Sequence, residues 1–130
     1  MEDDKALKVL LHETELKKRQ YRFVRFDGPD MRGINVALIY SPKYFKLINA
    51  KPIAVNLQYA GGGHTRDVLL VEGLLQGDTV FVLVNHWPSR SGGEAASAPK
   101  RAIAAEVNKR AVEQILALHH DARIIIMGDL

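Results

Sequence analysis

The sequence predicts one α/β (α+β) domain in which helices cover a sheet. Two segments, Ile34–Tyr40 and Arg123–Met127, are apolar on both faces, as is typical of strands that lie between two layers. Ala104–Leu118 carries its apolar side chains on one helical face and leads into Arg123, a crossover of the length expected between neighbouring strands. The 130 residues, of which 47% are hydrophobic, are enough for one core and too few for two domains.

The first half of the chain begins with a helix and a strand. Leu7–Leu16 has helical apolar spacing, and the basic run Lys17–Arg19 at its end complements a helix dipole. Tyr21–Phe26 alternates apolar and basic residues, which predicts a strand with one covered face. Phe45–Tyr59 is less regular and predicts an exposed strand pair or an irregular crossover, before the flexible link Gly61–Gly63.

The second half contains a hairpin and a long loop before the helix and strand named above. Asp67–Leu75 and Thr79–Asn85 are two predicted strands, and Gln76–Asp78 between them is a connection typical of an antiparallel hairpin. Pro88–Pro99 is rich in Ser, Gly and Ala, which predicts a loop of about a dozen residues, a length at which loops often carry function.

Charge and composition exclude several classes of protein. Eighteen Lys and Arg against fifteen Asp and Glu leave a net charge of +3, which does not by itself predict binding to nucleic acid. The longest apolar runs have five residues, whereas a membrane span needs about 20, so we expect no transmembrane helix. Since the chain has no cysteine, any metal would be held by oxygen or imidazole, which favours a hard cation such as Mg²⁺.

The two ends of the sequence bear on location and completeness. The acidic start, Met1–Glu13, lacks the basic and apolar stretches of a signal peptide. This predicts a cytoplasmic protein if the start is native, and leaves a secreted or periplasmic protein open if it is not. The chain opens inside a helical pattern and ends at Gly128–Leu130, directly after a predicted strand. We therefore expect residues 1–130 to be a partial domain, truncated at both ends.

The first candidate cluster follows the second strand of the hairpin. Asn85 and His86 stand side by side there, and strand alternation places them on opposite faces. The loop beyond offers Ser89, Arg90 and the amides of Gly92–Gly93 as donors to one anion, for which phosphate is the obvious candidate. The alternative is a half-buried histidine bonded to a carbonyl and a solvated arginine.

Three further residues lie where strands or helices begin or end. Asp129 directly follows an apolar strand, where a carboxylate can orient an attacking water, although Gly-Asp is also an ordinary turn. Arg32 precedes the strand at Ile34, and its plainer interpretation is a loop pair with Asp30. Arg101, near the start of the second helix, either points back toward the anion or lies on the helix surface.

Three stretches, taken in order, resemble one protein family. They are Asp30–Tyr40, Val84–Glu94 and Ile124–Asp129, and their order and spacing resemble the endonuclease/exonuclease/phosphatase family, which is deoxyribonuclease I-like. The stretch Asn-His-Trp-Pro-Ser-Arg, residues 85–90, resembles a bacterial branch of that family. The resemblance extends over most of the chain from Tyr21 onward.

The resemblance implies a sandwich of two mixed β-sheets with helices on both outer faces. It also implies a hydrolase, most of all a nuclease, that cleaves phosphodiesters or phosphomonoesters by in-line attack of water with Mg²⁺, or with Mn²⁺ or Ca²⁺. The expected partner is then nucleic acid or another phosphate ester. A non-catalytic anion-binding module and a degenerate interaction module stay open as alternatives.

The resemblance assigns roles to single residues. His86 is similar to the family histidine that contacts the scissile phosphate, with Asn85 holding its local geometry. Asp129 is similar to the aspartate that orients the nucleophile, with at most an indirect part in metal binding. Four residues match positions that would face the substrate phosphate: Ser89, Arg90, Arg101 and Arg32.

The departures from the family pattern bear on activity. Asn35 stands where related sequences more often have aspartate. The metal-binding glutamate, the later aspartate and the Asp-His pair of the family have no match within these residues. We therefore assign no certain metal ligand and expect this stretch alone to be a poor catalyst, because such groups act as a unit. Sheet surface left uncovered predicts association, with the oligomeric state unknown.

Overall fold

The computed structural model describes residues 2–13, 15–27, 35–63 and 65–130. In these ranges the helices and strands follow one another as α1 Glu2–His12, a 3₁₀ helix Glu15–Arg19, β1 Arg22–Arg25, β2 Ala37–Tyr40, β3 Phe45–Ile53, a second 3₁₀ helix Gln58–Ala60, β4 Val68–Leu75, β5 Asp78–His86, α2 Glu94–Leu118 and β6 Arg123–Asp129. None of the helices in these ranges has the length and apolar character needed to span a membrane.

Two sheets form the centre of the domain. β1 and β2 pair antiparallel, and the second sheet has the strand order β3-β4-β5-β6. The second sheet is mixed, because β5 and β6 are parallel whereas its other pairs are antiparallel. Side chains of both sheets meet in one core: Phe45, Leu69, Val71, Val80, Val82 and Val84 from the second sheet, with Val24, Leu38 and Tyr40 from the first. The predicted two-sheet α/β architecture is confirmed.

α2 covers the other face of the four-stranded sheet. It contributes buried side chains to a second core, whose buried members are Val55, Leu57, Val68, Leu83, Ala104 and Ala111. The helix begins at Glu94, so the loop predicted for Pro88–Pro99 is too long. The alanines among residues 94–99 are strong helix formers, and the packing of a long helix outweighs the hydrogen bond lost at Pro99.

The hairpin prediction is confirmed. β4 and β5 pair antiparallel, and Gln76 and Gly77 between them have φ angles of 51° and 90°, the conformation of a tight hairpin turn. The expectation of a strand pair or crossover over Phe45–Tyr59 is wrong for its first part. A single strand, β3, forms there because its backbone pairs with β4 along its whole length, with one bulge.

The expectation that the last strand is covered on both faces is wrong. Ile125, Ile126 and Met127 of β6 are 45%, 43% and 43% exposed. In the described sheet β6 is an edge strand that pairs only with β5, so its apolar side chains lack a second neighbour. β2 is half-buried along its length. Association through the exposed sheet surface stays a prediction.

The predicted N-terminal helix is divided in two. α1 ends at His12, and the basic run that was expected to close it lies in the 3₁₀ helix Glu15–Arg19. An ion pair between Asp4 and Arg25 ties α1 to β1. The Arg25 guanidinium holds the pKa of the Asp4 carboxyl below its usual range by hydrogen bonding to it.

Candidate active site

The ends of β5 and β6 bring two of the predicted residues together. The strands are parallel, and their register pairs His86 with Asp129. His86 Nε2 lies 3.7 Å from Asp129 Oδ2, which is longer than a hydrogen bond, so each group remains able to bond to a ligand or to a bridging water. The His86 side chain is 33% exposed and that of Asp129 is 82% exposed. Both are therefore within reach of a substrate.

His86 lies on the face of the sheet that points toward the other sheet. Strand alternation puts it on the same side as Val82 and Val84, which belong to the core between the sheets. The parallel register puts Asp129 on that side as well. The pair therefore sits at the rim of the space between the two sheets, where the core ends.

A glycine allows β6 to approach β5 at this point. Gly128 pairs with Asn85 inside the strand, so the interpretation of Gly-Asp as a turn is wrong. Its φ of +127° is rare for other residues, and a Cβ at this position would lie 2.0 Å from the Asn85 carbonyl oxygen. The backbone N–H of Trp87 donates to the Asp129 carbonyl at 2.9 Å and extends the pairing beyond Gly128. The position of Asp129 thus depends on the residue before it.

Asn85 points away from this site, into the contact between the sheet and α2. It is buried, and its amide is paired with that of Asn108: Asn108 Nδ2 donates to Asn85 Oδ1 at 2.7 Å, and Asn85 Nδ2 donates to Asn108 Oδ1 at 3.0 Å. Trp87 Nε1 also donates to Asn85 Oδ1, at 3.0 Å. Because these groups satisfy the amide, Asn85 has no free side-chain group to offer a ligand.

Asn108 is a residue that the sequence pattern did not single out. It lies on the buried face of α2 with Ala104, Ala111 and Ile115, and its Nδ2 also donates to the Ala104 carbonyl at 2.9 Å. A polar side chain in the middle of an apolar helical stripe is the signal that would have found it.

Arg101 turns toward the loop that follows β5. Its guanidinium donates to the Pro88 carbonyl at 3.2 Å and lies 5.5 Å from the centre of the Trp87 ring. Arg90 is exposed and lines, with Arg101 and Trp87, an open cavity of about 260 Å³ whose lining contains neither His86 nor Asp129. The predicted phosphate-binding arginines are therefore on the α2 side of the loop, separate from the His86–Asp129 pair.

The loop itself is closed by its own hydrogen bonds. The Gly93 N–H donates to the Arg90 carbonyl at 3.0 Å, so this amide is not available to an anion as the sequence predicted. Ser89 is exposed, and its Oγ accepts the Ser91 N–H at 3.3 Å. Arg32 lies outside the described residues.

One further polar residue, Asp67, lies directly before β4. The pairing of β4 with β5 ends at Leu69 with Val84, and the same spacing continued for two residues would set Asp67 opposite His86. Asp67 Oδ1 is buried without a hydrogen-bond partner, and burial raises the pKa of the carboxyl. The signal in the sequence was an acidic residue at the start of an otherwise apolar strand.

The residues that the structure describes do not form a metal centre. Within residues 2–13, 15–27, 35–63 and 65–130, no group of three or more His, Asp or Glu side chains is placed to hold a metal ion. Asp129 is a single carboxylate at the end of β6, and Asp67 is a single carboxylate directly before β4.

Comparison with known families gives one match that spans the whole chain. Residues 1–130 match the family model described as the Endonuclease/Exonuclease/phosphatase family. The chain belongs to this family. No curated protein matches the sequence.

Several solved structures share the family fold with this chain. TDP2 from C. elegans is 21% identical, with a TM-score of 0.67 over 97% of this chain. The human Nocturnin catalytic domain with bound sulfate anion is 17% identical, with a TM-score of 0.60 over 91% of this chain. D. rerio TDP2 complexed with single strand DNA product is 14% identical, with a TM-score of 0.50 over 98% of this chain. At these identities the likeness establishes the fold.

The chain spans only part of each of these structures. It covers 34% of the C. elegans protein, 47% of the human domain and 52% of the D. rerio protein. None of these proteins supports the bacterial branch that residues 85–90 resemble, and that branch stays a prediction.

Proposed function

We propose that this protein is a phosphoesterase that hydrolyses phosphodiesters by direct attack of water, with nucleic acid as the first substrate class. The observation that carries the proposal is the placement of His86 and Asp129 side by side at the ends of two parallel strands. Membership of the Endonuclease/Exonuclease/phosphatase family supports it. So does the rim position of the pair, since strand ends on a rigid sheet are where active groups are commonly held.

The two side chains supply complementary chemistry. The His86 imidazole can donate a hydrogen bond to a non-bridging phosphoryl oxygen and stabilise the charge that develops there. The Asp129 carboxylate accepts hydrogen bonds only, so it can orient an attacking water toward the phosphorus. Their separation of 3.7 Å leaves room for a ligand atom to bond to both. We propose that Asn85, through its buried amide pair, keeps His86 in place for this task.

Nucleic acid is proposed as the substrate on two supports. The D. rerio TDP2 structure, which shares the fold, holds a single strand DNA product. In this chain Arg90 and Arg101 line a cavity on the α2 side of the loop that follows His86, separate from the His86–Asp129 pair, where they can bind another phosphate of a longer substrate. Other phosphate esters, including sugar and lipid phosphates, are the competing substrates.

A second candidate function is a non-catalytic module that binds an anion. The observation that favours it is the cavity shared by Arg90, Arg101 and Trp87, which combines two cations with an aromatic ring. In that case the ligand binds without a divalent metal and is recovered unchanged.

We predict that hydrolysis depends on a divalent cation, with Mg²⁺ as the first choice and Mn²⁺ or Ca²⁺ as alternatives. To test this, the complete reading frame that contains these 130 residues is expressed. Its hydrolysis of a DNA oligonucleotide, bis(p-nitrophenyl) phosphate and p-nitrophenyl phosphate is then measured. We expect cleavage of the two diesters in Mg²⁺ and loss of cleavage in EDTA, restored by added Mg²⁺.

Three other outcomes of these assays would change the proposal. Equal rates with and without EDTA would contradict the metal dependence. A preference for the monoester would replace the nuclease by a phosphatase. Binding of the oligonucleotide with no product in any metal would favour the anion-binding module.

A further inference from the structure

We propose that Asp67 is a third member of the His86–Asp129 site, a positioning residue that faces His86 from the segment directly before β4 while Asp129 faces it from β6. The proposal rests on the proposed function and adds a residue to it. Its geometric basis is the order of the sheet, in which β5 lies between β4 and β6. A carboxylate on each side of β5 then flanks the His86 imidazole.

The register of the sheet gives this arrangement. Every pair between β4 and β5 follows the same spacing, from Leu75 with Asp78 to Leu69 with Val84. Two residues further on, this spacing sets Asp67 against His86, on the face that Leu69 and Val84 share in the core between the sheets. Directly opposed residues have Cβ atoms about 5 Å apart, so one change of rotamer brings carboxylate and imidazole into hydrogen-bonding distance.

The unpaired, buried oxygen of the Asp67 carboxyl indicates a functional role, because it does not stabilise the fold. Its Oδ1 is buried and makes no hydrogen bond, and the Oγ1 of nearby Thr65 is in the same condition. Burial also raises the pKa of Asp67, so the ionised carboxylate costs stability at neutral pH. Groups that cost stability in this way are concentrated at functional sites, where a bound ligand completes their hydrogen bonding.

The chemical role proposed for Asp67 is to orient the His86 ring. A carboxylate only accepts hydrogen bonds, so Asp67 takes the N–H on one side of the His86 ring and leaves the other nitrogen for the phosphate. When substrate binds, it turns the His86 ring and completes the hydrogen bond to Asp67. The imidazole held in this way then presents one donor in a fixed orientation to the phosphate. Asp67 does not touch the reacting atoms itself.

The test is the variant Asp67→Asn, which keeps the shape and removes the charge. For the complete reading frame we expect kcat for a DNA oligonucleotide to fall at least about tenfold, with KM nearly unchanged. At pH 7 we expect the Tm of the same variant to rise by about 2–5 °C, because the uncompensated carboxylate is gone. As the pH falls and the native carboxyl becomes protonated, this difference in Tm shrinks.

The combination of a higher Tm and a lower kcat separates the proposal from a structural role. A purely structural Asp67 would lose stability in Asp67→Asn, and either a fall in Tm or failure to fold would overturn the proposal. The matched control is Glu72→Gln, which lies within β4 and pairs with Phe81, away from His86, and for which we expect an unchanged kcat. If His86→Ala and Asp129→Asn abolish cleavage while Asp67→Asn keeps full kcat, the proposed function stands and this inference fails. If His86→Ala and Asp129→Asn also cleave normally, the proposed function fails.

Discussion

Replacement of His86 by alanine is expected to reduce kcat/KM for phosphodiester hydrolysis by about a hundredfold to ten-thousandfold. The expected size follows from the loss of one positioned hydrogen-bond donor to the phosphoryl oxygen on which negative charge develops. The imidazole is 33% exposed and stands at the end of β5, so its removal should change the free energy of unfolding by less than about 1 kcal/mol. Steady-state kinetics and a thermal melt on the same sample measure both quantities.

Two companion variants make this result specific. Asp129→Asn should produce a comparable loss, because one of the two acceptor oxygens becomes an NH2 donor and the negative charge is lost. His120→Ala is the matched control, since this histidine is 94% exposed and lies between α2 and β6, outside the site. Activity of His86→Ala within twofold of the unchanged protein would remove His86 from the reaction.

Replacement of Gly128 by alanine is expected to lower both stability and activity. The added Cβ meets the Asn85 carbonyl oxygen at 2.0 Å, and φ at this position is +127°. Relief of this clash would require a shift of the backbone of β5 or β6, which is energetically costly because the two strands are paired. The positive φ would itself strain an alanine. We expect a loss of about 2 kcal/mol or more in the free energy of unfolding, a fall in Tm of about 7 °C, and a loss of activity as large as that of Asp129→Asn.

Gly77→Ala is the control for the backbone angle alone. Gly77 has a φ of +90°, but a Cβ there meets nothing within 4 Å. We expect this variant to lose about 1 kcal/mol and to keep its activity, because the turn is at the far end of the hairpin from His86. Equal losses in the two variants would show that the close approach of β6 to β5 is unimportant.

Much of this fold could be predicted because it depends on local patterns. The turn at Gln76–Gly77 and the alternation in β4 and β5 determine the hairpin, and the apolar stripe of α2 determines which face it covers. The exposure of β6 could not be predicted. The same apolar sequence pattern is compatible with a strand in the middle of a sheet and with a strand at its edge. Only the strand order determines which position β6 takes.

The site shows the same division. His86 and Asp129 were predictable because each follows an apolar strand, and a parallel pair of strands brings such residues to one edge. The contact of Asn108 was not, because it depends on Asn85, which is far away in the sequence and lies across the helix–sheet contact. The direction of Asn85 toward α2 follows from alternation, but its satisfied amide follows only from Asn108.

The most direct test of the account is to map where a phosphodiester binds. The protein is labelled with ¹⁵N and titrated with the dinucleotide thymidylyl-thymidine in Mg²⁺, and backbone amide shifts are followed by NMR. We expect the largest changes at His86 and Asp129, with smaller ones at Asp67. Changes confined to Arg90, Gly93 and Arg101, or none at all, would contradict a phosphodiester site at the ends of β5 and β6.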